Sequence, residues 1–386
     1  MTTKIYIPRD SSAIGMGADM LAERVTRVAQ SKNKDIQVVR NGSRGLLWME
    51  PLLEVETESG RIGFSNVSCD DVDDLVHSDF SESGVSSKNI GLVDEVPYLK
   101  NQERLCFARN GITDPVSIKD YIEHGGFKGL RRAMELDSRS IVDVVTESGL
   151  RGRGGAAFPT GIKWNTVLNC EAKQKYIVCN ADEGDSGTFS DRMTMEGDPF
   201  VLIEGMSISA FAVGATKGYL YLRSEYPHAE EVFNEALRIA RAEGYLGKDI
   251  CGSKRDFDIE LRRAAGAYIC GEETSLLESL EGKRGLVRAK PPLPAISGLF
   301  GQPTVVNNVI TFSSVPFILS NGADAYKDYG MGRSTGTLPI QLAGNIRQGG
   351  LVEKAFGVTL NELLYDFGGG SASGKPIRTV QIGGPL

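Results

Sequence analysis

The sequence predicts an α/β fold made of three consecutive units, at residues 1–85, 86–335 and 336–386. Strand-like runs alternate with helical periodicity through most of residues 175–319, which indicates helices covering a sheet. A glycine-rich segment at 148–164 precedes this alternation, and the pattern changes to short strands from about Thr337. A chain of 386 residues is long enough for two or three domains with a sizeable core.

The first unit reads as a small α/β domain. Its polar and apolar alternation predicts strands, and a 3.6-residue period predicts one amphipathic helix, Ala18–Val28. The predicted strands are Lys4–Ile7, Ile36–Arg40, Leu52–Glu56 and Arg61–Phe64. This order fits a thioredoxin-like domain, and the polar segment Ser78–Asn89 then reads as a linker.

The middle unit begins with helices and continues as alternating strands and helices. The leading helices are Ser117–His124, with Asp114 before it as a cap, Phe127–Leu136, and a third over Ser140–Glu147 with Ser140 as a cap. The predicted strands are Lys175–Cys179, Gly218–Leu222 and Phe257–Leu261. The predicted helices that follow are Phe200–Val213, Ala229–Ala242, Thr274–Leu280 and Val305–Leu319.

The last unit resembles a β-grasp arrangement. Its segments are Leu338–Gly344, Gly350–Val358, Thr359–Phe367 and Arg378–Ile382. The final residues, Gly383-Gly-Pro-Leu386, look like an interruption rather than a natural end.

Composition excludes several classes of protein. A net charge of −7 argues against a nucleic-acid binder. The sequence has no apolar run long enough to cross a membrane, and its first residues lack the layout of a signal peptide, so we expect a cytoplasmic protein. The six cysteines form no C-x-x-C pair and the three histidines are scattered, so no metal site is predicted.

The segment Ser148–Trp164 has the composition of a phosphate cradle. Five glycines, two arginines and Lys163 fall within it. Glycines let the backbone approach a ligand, and free N–H groups before a helix suit an anion. Thr160 is placed to cap the following helix. Residues 152–157 formally match a dinucleotide fingerprint, but they follow a predicted helix rather than a strand, and the alternatives are a Rossmann loop or a plain turn.

A second motif, Asn180-Ala-Asp-Glu-Gly-Asp-Ser-Gly187, directly follows a predicted strand. Ligands bind at the carboxyl ends of strands in α/β sheets. The carboxylates of Asp182, Glu183 and Asp185 could hold a divalent cation, accept hydrogen bonds from sugar hydroxyls, or form a solvated loop. The position beside a phosphate cradle favours the sugar hydroxyls.

Three further motifs carry polar side chains. Gly271-Glu-Glu-Thr274 puts Glu272 and Glu273 at a predicted helix N-terminus, where they could bind a ligand or simply cap the helix. The amides of Asn307 and Asn308 can donate and accept hydrogen bonds. Lys290 lies in a proline-rich segment that would hold it over a ligand. We find no side-chain acid–base or nucleophile arrangement, which indicates that a cofactor carries the chemistry.

Together, these motifs resemble the NADH-binding, FMN-containing subunit (the complex I 51 kDa type) shared by respiratory complex I, NAD-reducing hydrogenases and soluble NAD-dependent formate dehydrogenases. The resemblance covers roughly residues 95–386. Residues 180–192 and 41–51 look most like the β (diaphorase) subunit of formate dehydrogenase. The resemblance implies a Rossmann-like FMN- and NADH-binding domain between the thioredoxin-like and the soluble-ligand-binding β-grasp units.

The resemblance also implies roles for individual residues. Residues implied to hold the FMN phosphate are Gly152, Arg153, Gly154, Gly155 and Lys163. Residues implied to line the rest of FMN are Asn180, Asp182, Glu183, Tyr268, Gly271, Glu272, Asn307 and Asn308. Phe158 is implied to stack on the adenine of NADH, and Asp185, Glu273 and Lys290 to contact other parts of it. No catalytic side chain is implied, because hydride transfer belongs to FMN and NAD.

Departures from the family pattern qualify these implications. Asp185 stands where complex I members often have Glu, and Thr166 and Leu293 stand at positions often aromatic, so we expect altered adenine binding. Ser43 and Leu47 occupy two of the cysteine positions of a [2Fe–2S] thioredoxin-like domain. The family also carries a helical [4Fe–4S] domain whose ligands are absent from this chain, and we expect either that the sequence is truncated or that the cluster is lost.

The resulting expectation is a cytoplasmic NADH:acceptor oxidoreductase subunit, the diaphorase subunit of NAD-dependent formate dehydrogenase. It would pass electrons through FMN to NAD⁺ and work with iron–sulfur and molybdenum subunits. The alternatives are the equivalent flavin subunit of an NAD-reducing hydrogenase or of complex I, and, in another class, a cofactor-free docking scaffold.

Overall fold

The structure, a computed structural model, describes residues 2–80, 87–185 and 187–384. Within these residues no helix is long and apolar enough to cross a membrane. The strands lie in four sheets, of which a mixed five-stranded sheet and a parallel four-stranded sheet are the largest.

The N-terminal residues fold around the five-stranded sheet. Its elements in chain order are β1 (Thr3–Tyr6), α1 (Ser11–Gly15), α2 (Ala18–Ser31), β2 (Ile36–Val39), β3 (Leu53–Thr57), β4 (Gly60–Phe64), α3 (Val72–His77) and β5 (Asn89–Leu92). The strand order is β2-β1-β3-β4-β5, with β1 parallel to β2 and antiparallel to β3. A parallel β-α-β unit followed by an antiparallel hairpin and a helix is the arrangement expected of a thioredoxin-like domain.

The predicted linker Ser78–Asn89 lies partly outside the described residues, at 81–86. Its last residue is not linker, because Asn89 begins β5, which pairs antiparallel with β4. The strand adds a hydrogen-bonded edge to the N-terminal sheet.

A helical stretch leads from this sheet to the glycine-rich segment. Its helices are α4 (Pro97–Lys100), α5 (Ile118–Glu123), α6 (Lys128–Met134) and α7 (Ser138–Glu147). The predicted caps are wrong by three residues in both cases. Ser117 caps α5 by accepting from Asp120 N, and Asp137 caps α7 by accepting from Ser140 N. Asp114 instead turns the chain ahead of α5, with its carboxylate accepting from Val116 N.

The middle of the chain alternates strands and helices around the parallel sheet. The elements are α8 (Thr160–Asn169), β6 (Tyr176–Ala181), α9 (Ser190–Gly197), α10 (Pro199–Val213), β7 (Lys217–Leu222), α11 (Pro227–Ala242), β8 (Asp258–Arg263), α12 (Glu273–Leu280), β9 (Thr304–Asn308), α13 (Val309–Asn321) and α14 (Ala323–Lys327). Single 3₁₀ turns occur at Leu47–Met49, Cys69–Asp71, Val93–Glu95, Ile250–Gly252, Tyr268–Gly271 and Leu299–Gly301.

The sheet order β8-β7-β6-β9 contains a topological switch point. The chain moves outward from β6 through β7 to β8 and then returns to place β9 on the other side of β6. Such an order leaves a crevice at the carboxyl ends of the two strands where the direction reverses. The crevice between β6 and β9 is therefore the expected ligand site.

The prediction of one helix over Val305–Leu319 is wrong at its start. Residues Thr304–Asn308 form β9, and the helix begins only at Val309, with Asn308 as its N-cap. The β-branched pair Val305-Val306 is buried in β9, an edge strand of the sheet that pairs with β6, and branched side chains pack well on such a surface. Tertiary pairing with β6 thus overrides a helical apolar pattern.

Both faces of the parallel sheet are covered. On one face α10, buried along its whole length, lies in the main core together with Ile177 and Cys179 of β6. On the other face α12 packs Leu276 and Leu277 against Val178. Because both faces are apolar, ligands can approach only the ends of the strands.

The C-terminal residues form two short hairpins and a helical turn. The strands are β10 (Gly330–Met331), β11 (Ser334–Thr335), β12 (Thr337–Leu342) and β13 (Gly350–Ala355), and a π-helical turn spans Glu362–Phe367. Arg378–Ile382, the last segment assigned to the β-grasp unit, pairs with no described strand, and its Ile382 is exposed.

Candidate cofactor-binding site

A cleft opens at the switch point of the parallel sheet. Asn180 and Asn308 lie opposite each other in register at the ends of β6 and β9 and form its floor. The cleft has a narrow lobe of about 280 Å³ and a wide lobe of about 640 Å³. Volumes of this size suit a cofactor or small-molecule ligand.

The structure brings the predicted site residues to this one cleft, with Asp182 immediately behind its wall. Those on the narrow lobe are Gly152, Gly154, Phe158, Lys163, Asn180, Gly271, Glu272, Glu273, Lys290, Asn307 and Asn308. Those found on the wide lobe alone are Arg153, Gly155, Glu183, Asp185 and Tyr268. Which ligand each contacts stays a prediction.

The glycine-rich loop between α7 and α8 doubles back on itself. Gly152 N donates to Phe158 O at 2.9 Å, and Thr160 N donates to Leu150 O at 2.9 Å. Between these bonds, the backbone N–H groups of residues 154–157 donate to no acceptor among the described residues. The loop is thus an array of unsatisfied donors that an anionic ligand can satisfy.

Glycine is required at two positions of this loop. Gly155 has a φ of +104°, a backbone conformation that residues other than glycine rarely adopt. A Cβ at Gly154 would lie 3.0 Å from Cβ of Asn308, on the floor of the cleft. The close approach of the loop to β9 therefore depends on the missing side chains.

The N-terminus of α8 is open toward the narrow lobe, and the prediction that Thr160 caps it is wrong. Pro159 occupies the cap position, which has no side-chain bond, because Thr160 has helical conformation and is the first residue of the helix. Its Oγ1 is buried with no hydrogen-bond partner among the described residues. An uncapped helix end and an unpartnered hydroxyl at one place fit a phosphate group.

Lys163 lies one turn inside α8 and reaches across the narrow lobe. Its Nζ donates to Val306 O at 2.6 Å and lies 3.8 Å from the carboxylate of Glu273. Burial lowers the pKa of the Lys163 ammonium, and Glu273 opposes that shift. A half-buried cation with one carboxylate at 3.8 Å is short of negative charge, which a bound anion would supply.

Glu272 and Glu273 share one cation at the edge of the narrow lobe. The ammonium of Lys290 lies 2.9 Å from both carboxylates. Partial burial alone would lower the pKa of Lys290, but its hydrogen bonds to Glu273 and Glu272 raise it. Glu272 also caps α12 by accepting from Thr274 N and Ser275 N, so capping accounts for much of its position.

The carboxylates of the acidic loop that follows β6, at residues 182–185, lie in different environments. Glu183 is half-buried and accepts from Asp191 N at 2.8 Å, Arg192 N at 3.1 Å and Tyr226 Oη at 3.0 Å. Burial raises the pKa of Asp182 to about 6, partly offset by Arg223. The part of the chain that the structure describes contains no group of three His, Cys, Asp or Glu side chains arranged to hold a metal ion.

The two asparagines of β9 differ in their hydrogen bonding. Asn308 Oδ1 accepts from Ile310 N at 2.9 Å as the cap of α13, and its Nδ2 donates to Asp191 Oδ2 at 2.6 Å. Asn307 Oδ1 is buried and has no partner among the described residues. Asn307 is therefore available to a ligand, whereas Asn308 is largely committed to holding the cleft together.

Arg153 holds the loop in place through its guanidinium. The group donates to Thr335 O, Thr337 O and Tyr326 Oη, and it lies over the ring of Phe356. These bonds tie the loop to the C-terminal hairpins. Because the backbone N–H of Arg153 also donates to a side chain of the described residues, the predicted phosphate role of Arg153 is left to the field of its charge.

The two aromatic residues of the prediction lie at the rim. Phe158 is 47% exposed beside the narrow lobe, and Tyr268 is 58% exposed beside the wide lobe. An exposed aromatic ring at a cleft mouth can stack on a planar ligand group.

Sequence reasoning missed two residues that shape the cleft. Thr311 Oγ1 accepts from Arg153 N at 2.9 Å, and Asp191 lines the wide lobe from the first turn of α9. Thr311 could have been found from the sequence, because it is a polar residue within an apolar helix. The sequence held no signal for Asp191, because its contact with Asn308 spans 117 residues.

Comparisons with known proteins agree with this geometry. Residues 145–317 match the Nuo51 FMN-binding domain, a span that contains the loop, both acidic motifs and the asparagine pair. The chain is 50% identical over 286 residues to the NADP-reducing hydrogenase subunit HndC of Solidesulfovibrio fructosivorans, covering 74% of this chain and 58% of that protein. It is 47% identical over 274 residues to an NADH-quinone oxidoreductase subunit of Rhizobium meliloti (strain 1021), covering 71% of this chain and 65% of that protein.

A solved structure is similar over nearly the whole chain. The crystal structure of NAD⁺-reducing [NiFe]-hydrogenase in the H₂-reduced state matches with a TM-score of 0.60 and 28% identity, covering 96% of this chain and 61% of that one. The chain thus spans about three-fifths of the length of the relatives it matches. The resemblance found in the motifs is confirmed, and the chain belongs to the complex I 51 kDa-type family of FMN-binding subunits.

Proposed function

We propose that this chain binds FMN in the cleft at the switch point and transfers hydride between FMN and NAD(H). The observation that carries the proposal is the open array at the narrow lobe: free backbone N–H groups at 154–157, an uncapped α8 and the buried hydroxyl of Thr160. These donors suit the phosphate of FMN.

The polar groups of the floor suit the remainder of the flavin. Asn307 Oδ1 is an unpartnered acceptor for an N–H or hydroxyl, and the Asp182 carboxyl lies beside Gly271. When bound, FMN supplies the hydride chemistry, and the protein positions and tunes it.

The rim residues suit a nicotinamide dinucleotide. Phe158 offers an exposed ring for the adenine, and the cluster of Glu272, Glu273 and Lys290 offers both carboxylates and a cation beside it. Thr166 and Leu293 supply no aromatic ring, so Phe158 is the stacking partner available nearby. Base–aromatic stacking contributes about 1–3 kcal/mol in single-stranded nucleic-acid complexes.

The physiological partner is a separate part of the proposal. The similar proteins are named as hydrogenase and quinone-oxidoreductase subunits, which favours a chain of one of these types over formate dehydrogenase. The formate dehydrogenase assignment rests on residues 41–51 and 180–192 and stays a prediction. Metal analysis of the complex that co-purifies with the full chain would distinguish the three assignments. Nickel would indicate a hydrogenase, molybdenum a formate dehydrogenase, and neither metal a quinone oxidoreductase.

The flavin site is tested by spectroscopy on the purified chain. We expect added FMN to be retained through gel filtration, and anaerobic NADH to bleach the flavin band. A chain that retains no FMN would instead be a docking scaffold. Retained FMN that NADH leaves unbleached would refute hydride transfer while leaving the flavin site intact.

A further inference from the structure

Asp191 is a buried carboxyl group in the wall of the wide lobe and is not among the predicted site residues. It is the second residue of α9, only 3% exposed, and its side chain borders the lobe. A buried carboxyl group needs donors or a cation if it is to ionise. The hydrogen bonds and charges around it therefore determine which form it takes.

Asp191 has few donors. Its Oδ2 accepts from Asn308 Nδ2 at 2.6 Å, and its Oδ1 receives no donor among the described residues. Glu183, its neighbour, accepts from four: Asp191 N, Arg192 N, Tyr226 Oη and Ser190 Oγ. Burial raises the pKa of Glu183, and its hydrogen-bond donors oppose that shift. Two neighbouring carboxyl groups also oppose each other's ionisation, and Asp191 is the one with fewer donors.

The surrounding cations are directed elsewhere. Arg192 donates to Ser12 Oγ at 3.1 Å, and Arg223 donates to the backbone oxygen of Glu183. The titratable and charged groups around the pair are Glu183, Cys179, Arg192, Arg223, Tyr226 and Asp185. Burial, with the charge of Glu183 added to it, raises the pKa of Asp191 well above its usual range, while the hydrogen bond from Asn308 opposes this.

We propose that Asp191 is a cofactor-binding residue that acts as a neutral carboxylic acid, donating its O–H to an acceptor atom of the ligand in the wide lobe. Oδ2 of Asp191 accepts the hydrogen bond from Asn308 Nδ2, so the carboxyl proton is placed on Oδ1. The ligand class is a flavin or another ring with exposed acceptor atoms, and this inference rests on the proposed FMN site.

Two substitutions test whether Asp191 acts in its protonated form, because one keeps a neutral hydrogen-bonding group and the other removes it. Asp191→Asn keeps a neutral donor and an acceptor of the same shape, whereas Asp191→Ala keeps neither. We expect the Kd for FMN to change by less than about twofold in Asp191→Asn and to rise about five- to tenfold in Asp191→Ala. Equal weakening in both variants would show that an ionised carboxylate is required and would overturn the proposal.

The pH dependence of FMN binding provides a second measurement. In the wild type, affinity should fall as the pH rises through the ionisation of Asp191, because the donor is lost and a negative charge appears. Asp191→Asn should lack this fall, while keeping whatever pH dependence the FMN phosphate itself contributes. An identical profile in both proteins would contradict the assignment.

The protonation state can also be read without any cofactor. The infrared difference between wild type and Asp191→Asn at neutral pH, without FMN, should contain the C=O stretch of a protonated carboxyl group. A carboxylate band in its place would overturn the proposal even where FMN binds. A protonated band in a chain that binds no FMN would instead refute the flavin site and leave the neutral Asp191 established.

Discussion

Asn180 and Asn308 face each other in register across β6 and β9, at the point where the strand order reverses. Asn180 Nδ2 reaches Gly271 O at 2.8 Å, and Asn308 Nδ2 reaches Asp191 Oδ2 at 2.6 Å. The pair therefore ties the strand ends to the loop before α12 and to α9. The floor of the cleft is held by amide side chains rather than by charges.

The first prediction separates binding from stability at the adjacent asparagines. Asn308→Ala removes the cap of α13 and the bond to Asp191, so we expect about 1–2 kcal/mol less free energy of unfolding in urea without cofactor. Asn307→Ala removes a buried acceptor that has no partner among the described residues, so it should leave that stability nearly unchanged and weaken FMN binding. The reverse pattern would show that Asn307 is the structural residue.

A second prediction concerns the charge of Lys163. Its half-buried ammonium lies 3.8 Å from one carboxylate, so an anionic phosphate should add to its stabilisation. Lys163→Met keeps an unbranched side chain but removes the charge. We expect FMN to bind more weakly in the variant while riboflavin, which lacks the phosphate, binds nearly as in the wild type.

The comparison of FMN with riboflavin makes this measurement specific. A loss of general packing would weaken both ligands by similar factors. An equal loss for FMN and riboflavin, measured by quenching of flavin fluorescence, would place Lys163 away from the phosphate.

The third prediction concerns Gly154. A methyl group there would approach Cβ of Asn308 to 3.0 Å, which forces either the loop or β9 to move. We expect Gly154→Ala to lower FMN affinity about tenfold, equivalent to about 1.4 kcal/mol. Gly15→Ala, in α1 with open space around its Cβ position, is the matched control and should bind FMN as the wild type does. Normal affinity in Gly154→Ala would show that the loop does not need this close approach.

The residues predicted from the motifs lie around one cleft, whereas one of the two strands that build the cleft was not predicted. The motif residues needed only to lie near strand ends and helix starts, and the regular alternation of the middle unit was enough to place them there. Thr304–Asn308 could not be separated from the helix after it, because an apolar run reads alike in a buried strand and a buried helix. The decisive information was pairing with β6, more than 120 residues earlier in the chain.

The detailed roles of charged residues were also beyond local reasoning. Arg153 was predicted to contact phosphate, yet its guanidinium binds the backbone of Thr335 and Thr337. Glu183 was predicted to line FMN, and its carboxylate faces the first turn of α9. In both cases the partners come from distant segments, so residue type and spacing carry no information about them.

The fourth prediction concerns the pH dependence of stability at Asp182. Its pKa in the folded protein is about 6, above the ordinary value of 3.8, because burial disfavours the charged form. Between these two values the unfolded chain has lost the proton while the folded protein still holds it. The free energy of unfolding contributed by this group therefore falls as the pH rises from about 4 to about 6, and the cost is complete above that range.

Asp182→Asn removes this cost while keeping the shape of the side chain. Without cofactor, we expect the variant to be more stable than the wild type by about 1–3 kcal/mol at pH 8, with the difference shrinking toward zero near pH 4. Urea unfolding across this range measures it, with Asp324→Asn on the exposed surface as the control. A difference that is the same at every pH would show that Asp182 does not change its protonation state, and a variant less stable at pH 8 would show that its carboxylate stabilises the fold.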